Sequence, residues 1–138
     1  DRSAIISSGG RKDHSVPGFY LAMGPENLTL GGGAYFLKPD QLEKVRRAIM
    51  NEPKAFEKLT SAKPFKSYYG EIQGEENKRM PKEFQSAAEA IPILLKKQFY
   101  FMDYGKPEGI LDKDLMKNCI DHFKAAQPVQ QFLKNNLM

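Results

Sequence analysis

Apolar and polar residues alternate early in the chain, as they do in half-buried strands. Residues 3–8 alternate weakly, 19–23 form a short apolar run, and 28–37 resume the strand pattern on both sides of three glycines. Short turns separate these stretches, and short turns join only antiparallel neighbours. The pattern therefore predicts an antiparallel meander at the start of the chain.

Three consecutive glycines, Gly31 to Gly33, interrupt the third of these strands. Glycines inside a strand cost backbone entropy and add no packing, so they mark a bulge or a close approach to the backbone. The run lacks the Gly-Lys-Ser/Thr ending of a P-loop and precedes a strand, which excludes a nucleotide cradle of that kind. We expect a bulge at this point, or a group that comes close to Gly32 and Gly33.

Helical spacing dominates the rest of the chain. It predicts helices over 39–50, 87–97 and 112–125 and a short final helix that begins at Pro128. In the third helix, Leu115, Cys119 and Phe123 repeat every four residues. Phe123 is therefore expected in the core, and Phe123→Ala should lower the unfolding free energy by about 3–5 kcal/mol.

Two segments lack this helical spacing. Residues 61–85 show no sustained period and contain several prolines and glycines, which predicts a long ordered loop. Residues 98–103 are aromatic and predict one later strand. With strands mostly early and helices mostly late, the fold class is α+β: an antiparallel sheet, an early meander plus one later strand, with helices packed mainly on one face.

The length of 138 residues suits one α+β domain spanning 1–138. The longest apolar run, residues 90–95, contains a proline and is too short to span a membrane. The single cysteine, Cys119, cannot form an internal disulfide, which favours a reducing, cytoplasmic compartment. Cys119 and His122 are three apart on a predicted helix, but two ligands do not make a metal site. We therefore expect neither a metal nor a cofactor.

The net charge of +4 comes from the middle of the chain, because residues 38–82 hold eleven basic and seven acidic side chains. Basic side chains on loops can converge on an anion such as a phosphate or a carboxylate. A solvated basic surface explains the same composition. The basic residues in stretches that read as loop are Lys63, Lys66, Lys78, Arg79 and Lys82.

The turn Gly9-Gly10-Arg11-Lys12 is a second candidate for anion binding. A glycine turn can present backbone N–H groups while Arg11 and Lys12 supply charge, although a plain hairpin explains it equally well. The neighbouring Asp13-His14-Ser15 has the residue types of a hydrolase triad, but adjacency in sequence is the wrong geometry for one.

Several short motifs occur in an order that resembles a known family, the conserved hypothetical proteins of Domain of Unknown Function 2461. The resemblance covers essentially the whole chain. It implies an intracellular α+β protein, with most relatives in bacteria; the family has no established activity, so no catalytic residue carries over. The motifs are Gly9-Gly10-Arg11-Lys12, Pro17-Gly18-Phe19-Tyr20, Gly31-Gly32-Gly33, Pro39 before the helix, Lys78-Arg79-Met80-Pro81-Lys82 and Lys97-Gln98-Phe99.

Members of this family have a substantial, mostly helical N-terminal portion. The resemblance therefore implies that the present chain is the C-terminal part of a longer member. In that case one face of the sheet should lack cover, and it would pair with a second copy in a homodimer or with the missing N-terminal segment.

Three hypotheses for function remain open. The first is a binding module, in which an anion-binding face is built from side chains and from the nearby glycine backbone; it predicts Arg11 and Arg79 on the same side of the molecule. The second is an enzyme whose site needs the N-terminal part. The third is a protein-interaction domain without a small ligand. The anionic ligand is unidentified, nucleic acid is left open without a supporting signal, and no membrane is expected. The residues of the first hypothesis are Arg11, Lys12, Gly32, Gly33, Lys66, Arg79 and Lys82.

Overall fold

The computed structural model describes residues 2–6, 18–23, 28–105 and 114–137. The strands are β1 (Arg2–Ile6), β2 (Gly18–Met23), β3 (Leu28–Ala34) and β4 (Phe99–Tyr104). The helices are α1 (Pro39–Asn51), α2 (Pro53–Thr60), α3 (Lys63–Tyr69), α4 (Lys82–Ala87) and α5 (Leu115–Leu137), with a 3₁₀ turn at Pro92–Leu95.

The four strands form one sheet in the order β1-β2-β3-β4, and all three pairings are antiparallel. The register places Phe19 opposite Gly32, and Gly32 opposite Phe101. The predicted α+β class, an early meander joined by one later strand, is therefore confirmed. The second and fourth strands lie within one residue of their predicted bounds.

The glycine run in β3 does not form a bulge, because Gly31 to Gly33 pair in register with both neighbouring strands. The close approach comes from α5 instead. A Cβ at Gly32 would lie 2.6 Å from Nε2 of Gln130, and the Gly33 N–H donates to Oε1 of Gln130 at 2.8 Å. Gly33 also has a φ of 98°, which a side chain would strain. The strand ends at Ala34 and does not continue to residue 37 as predicted.

The core lies between one face of the sheet and the helices. Phe19, Leu30 and Phe101 supply the sheet side, and they share one face because every second residue of a strand points the same way. Val129 and Leu133 of α5 are fully buried in the same cluster. The predicted packing of helices mainly on one face is confirmed by this arrangement.

The prediction that Phe123 belongs to the core is wrong. Its side chain is 39% exposed and meets the ring of Phe19 edge-on at 5.4 Å between centroids. Each four-residue step turns a helix by about 400°, so a strict spacing of four drifts by about 40° per step. Because of this drift, Phe123 lies off the helix face on which Leu115 and Cys119 pack against the core. The buried residues of α5 are His122, Ala125, Ala126, Val129 and Leu133.

The predicted break at Pro128 is also wrong, since α5 continues through it as one helix. A proline removes one backbone hydrogen bond, but its φ is compatible with a helix. The buried residues before and after Pro128, such as Ala126 and Val129, lie in the same core, and this packing holds both halves in line.

Residues 61–85 are not the long loop that was predicted. They contain α3 and the start of α4, and α3 buries Phe65 and Tyr69 at a spacing of four. Pro64 stands in the first turn of α3, where proline is tolerated. The helix predicted over 87–97 is replaced by the last residue of α4, a turn and the 3₁₀ turn.

An irregular segment, residues 73–77, runs along residues 95–100 and extends the sheet beyond β4. The Gln73 N–H donates to Tyr100 O, the Lys97 N–H to Glu75 O and the Asn77 N–H to Leu95 O, each at 2.7 Å. These bonds fix the position of Asn77 beside α1.

The predicted turn at 8–15, including Asp13-His14-Ser15, lies outside the described residues. In the described part of the chain, no helix has the length and apolar character needed to cross a membrane.

Candidate functional site

A cleft of about 1230 Å³ opens beside the N-terminal half of α1. One wall is the connection from β3 to α1, with Tyr35 and Phe36. The segment before α4 and the two residues before β4 also line it. About half of the residues that line it are apolar or aromatic, and four are basic: Lys38, Arg46, Arg79 and Lys97.

Arg46 lies in this cleft and is only 5% exposed. It stands on α1 three residues before Ile49, on the helix face that packs against the core. Its Nη2 donates to Oδ1 of Asn77 at 2.5 Å and to Lys96 O at 2.9 Å. The guanidinium therefore ties α1 to the two paired segments at the sheet edge.

The Arg46 guanidinium is only partly satisfied by these bonds. A guanidinium has five N–H donors, and Nη2 supplies the two that are used. Nε is buried without a partner, and no carboxylate of the described residues lies within ion-pair distance of the group. Burial lowers the pKa of Arg46, because desolvation disfavours its charged form. An anion in the cleft would supply the negative charge that the buried Arg46 guanidinium lacks.

The other charges of the cleft are exposed or already paired. Arg79 is exposed, and Nζ of Lys97 lies 3.9 Å from a carboxylate oxygen of Glu75. Two carboxylates, of Asp40 and Glu43, also line the cleft, and Glu43 accepts a hydrogen bond from Arg47 at 2.9 Å. Four basic and two acidic side chains leave the lining with an excess of positive charge.

A second buried polar group, His122, lies away from the cleft and is fully engaged. Its Nδ1 is 2.7 Å from Asn118 O, and its Nε2 is 2.7 Å from Oδ2 of Asp103. Because a carbonyl oxygen only accepts, Nδ1 carries a proton, and a further proton is shared between Nε2 and Asp103. Neither nitrogen is left for a substrate, whereas a general base needs one. The pair joins β4 to α5.

Two tyrosines of α3 complete the surroundings of His122. The Tyr69 hydroxyl donates to His122 O at 2.8 Å, and the Tyr68 ring lies 4.0 Å from the imidazole between centroids. Burial, with a smaller contribution from the charge of Asp103, raises the pKa of the Tyr69 hydroxyl well above its ordinary value. Tyr69 is therefore a neutral donor in this cluster.

Residues 1–132 match a family described as a conserved hypothetical protein, DUF2461. The chain belongs to this family. The resemblance inferred from the ordered motifs is thereby confirmed. The comparison with curated proteins gave no match, and neither did the comparison with solved structures.

The structure separates the predicted site residues of this DUF2461 chain. Arg79 lines the cleft, whereas Lys66 lines a smaller depression of about 400 Å³ together with Lys96. Lys82 is the exposed first residue of α4. Gly32 and Gly33 lie under α5, where Gln130 uses the Gly33 N–H. Arg11 and Lys12 lie outside the described residues, so their position relative to Arg79 remains a prediction.

Sequence reasoning missed Arg46, although the sequence contains a signal for it. Arg46 is four residues after Leu42 and three before Ile49, which places a charged residue on an apolar helix stripe. The aromatic pair Tyr35 and Phe36 was read as part of a strand, but it follows the end of β3. In the ranges that the structure describes, no three His, Cys, Asp or Glu residues are grouped to hold a metal ion.

Proposed function

We propose that this DUF2461 protein is a binding module that takes a carboxylate- or phosphate-bearing anion in the Arg46 cleft. The observation that carries the proposal is the buried guanidinium, which has an unpartnered Nε and no carboxylate partner among the described residues. Burying a charge is costly unless it is paired. Folding already includes the desolvation cost of the Arg46 guanidinium. An anion that binds in the cleft therefore meets a desolvated cation that is already in position.

The position of the other basic side chains supports the same role. Arg79 lies before α4 and Lys97 two residues before β4, so cations from separate segments of the chain line one cleft with Arg46 on α1. Charge-assisted hydrogen bonds to a carboxylate or phosphate are stronger than neutral ones, and arginine matches both groups geometrically.

Binding is favoured over catalysis by the residue types present. Among the described residues that line the cleft there is no His, Cys, Ser or Thr, and its two carboxylates, Asp40 and Glu43, are exposed, where no burial tunes them for acid–base work. The one buried histidine of the described chain has both ring nitrogens engaged elsewhere.

The test is an NMR titration with inorganic phosphate at constant ionic strength. Saturable amide shifts are expected at the residues of the cleft. Arg79→Gln should weaken binding at least fivefold, because it removes an exposed cation that lines the cleft. Lys78→Gln is the matched control, since Lys78 is the exposed neighbour that does not line it. Shifts that do not saturate, or equal weakening by both variants, would overturn the proposal.

A further inference from the structure

The Arg46 cleft carries an aromatic wall as well as cations. Tyr35 and Phe36 are 48% and 58% exposed, and both line the cleft. Exposed aromatic side chains that are contiguous mark interaction sites more often than scattered ones do. Here they stand directly before the first turn of α1, in the same cleft as Arg46.

This wall is held in place by further ring contacts. The rings of Tyr35 and Phe36 meet edge-on at 4.8 Å between centroids, and Tyr100 of β4 supports Tyr35 at 5.0 Å. An aromatic surface fixed in this way loses little side-chain freedom when a ligand packs on it.

The size of the cleft points to the same class of ligand. Its volume of about 1230 Å³ exceeds what an inorganic anion fills. Pockets for organic ligands are typically about 300–1,000 Å³, with apolar walls and a few placed polar groups, so the cleft has room for a whole organic anion. Exposed aromatic side chains and a guanidinium without a carboxylate partner, in one cleft, fit a molecule that has a flat ring and an anionic group.

We infer that the ligand is an aromatic anion, such as an aryl phosphate or an aryl carboxylate. Its ring lies against Tyr35 and Phe36, and its anionic group meets Arg46 and Arg79. This inference rests on the proposed anion binding and specifies its ligand class.

The experiment compares three probes by NMR titration of the same protein: inorganic phosphate, phenyl phosphate and phenol. Phenyl phosphate should bind at least tenfold more tightly than phosphate, because the ring adds contact with the aromatic wall. Phe36→Ser should lower the affinity for phenyl phosphate more than the affinity for phosphate, and so remove most of that tenfold advantage. Tyr104→Ser is the matched control, since Tyr104 is an exposed aromatic outside the cleft, and it should change neither affinity.

The outcomes separate the two proposals. Equal affinities for phosphate and phenyl phosphate, or an advantage that survives Phe36→Ser, would overturn the aromatic ligand and leave anion binding standing. Phenol binding as tightly as phenyl phosphate, or no binding of either phosphate, would overturn anion binding itself and the inference with it.

Discussion

His122 and Arg46 are both buried polar side chains on helices, yet their hydrogen-bond partners differ. His122 has an acceptor at each ring nitrogen, one of them the carboxylate of Asp103. Arg46 has two neutral acceptors at one nitrogen, Asn77 Oδ1 and Lys96 O, and an unpartnered Nε. A buried group whose partners are complete stabilises the fold, whereas a buried cation that lines a cleft and has no carboxylate partner is suited to an anionic ligand.

The unfolding free energy should therefore respond differently to removal of the His122 side chain and of the Arg46 side chain. Loss of His122 leaves a carboxylate behind without its partner. Loss of Arg46 leaves only neutral acceptors, and it also removes the cost of a desolvated cation.

The largest expected effect is that of His122→Ala. Removing one partner of a buried hydrogen-bonded pair leaves the other unsatisfied, and because Asp103 is partly exposed we expect a loss of about 2–3 kcal/mol in unfolding free energy. Urea denaturation measures this loss. Asp103→Asn, alone and combined with His122→Ala, closes a double-mutant cycle that isolates the pair. A loss below about 1 kcal/mol would contradict a structural role for the pair.

A smaller effect is expected for Arg46→Met. Two acceptors lose their donor, but the unpaired buried charge disappears as well, so the net loss should be about 1 kcal/mol. Phosphate should raise the thermal midpoint of the unmodified protein and not that of this variant. Lys44→Met, an exposed position on the same helix, should retain the phosphate effect. An equal loss of unfolding free energy in Arg46→Met and His122→Ala would contradict the difference between the two regions.

The smallest effect at neutral pH is expected for Tyr69→Phe, about 0.5–1 kcal/mol, because the His122 carbonyl loses its donor. The pH dependence is more specific. Since the pKa of Tyr69 is raised in the folded state, the folded protein keeps a proton that the unfolded chain loses above pH about 10. Stability should fall as pH rises beyond that point, by at most about 1.4 kcal/mol per pH unit from this group.

Urea denaturation between pH 9 and 11 checks the alkaline prediction. Tyr69→Phe should lose part of the fall in stability that the unmodified protein shows. Tyr104→Phe, a change at an exposed tyrosine, should retain it. Parallel pH profiles for the unmodified protein and Tyr69→Phe would contradict a buried, neutral Tyr69.

The sheet was predictable from sequence because short apolar runs bounded by turn residues, such as residues 19–23 of β2, are typical of strands. The helix registers were harder. Phe123 fits a spacing of four over a short stretch, and only the packing of Ala126 and Val129 shows that the buried face turns away from it. In α3, prolines and glycines around the helix concealed the spacing of its buried residues.

The candidate site was predictable only in part. Arg79 was predicted as a loop cation, but its presence in the same cleft as Arg46 depends on tertiary structure. The partners of Arg46, Asn77 and Lys96, are 31 and 50 residues away along the chain. No local sequence pattern predicts whether a charged residue on an apolar helix stripe will have a carboxylate partner in the folded protein.

The segment that carries Asn77 also has a consequence for association between chains. Sheet edges offer unpaired backbone groups that can template intermolecular strand pairing and aggregation. Residues 73–77 cover this edge: the Gln73 N–H occupies Tyr100 O, and Nε2 of Gln73 donates to Met102 O at 3.2 Å. Gly74, with a φ of 132°, keeps the covering segment from becoming a regular strand that could itself recruit another chain. The segment that positions a partner of Arg46 thus also protects the β4 edge from aggregation.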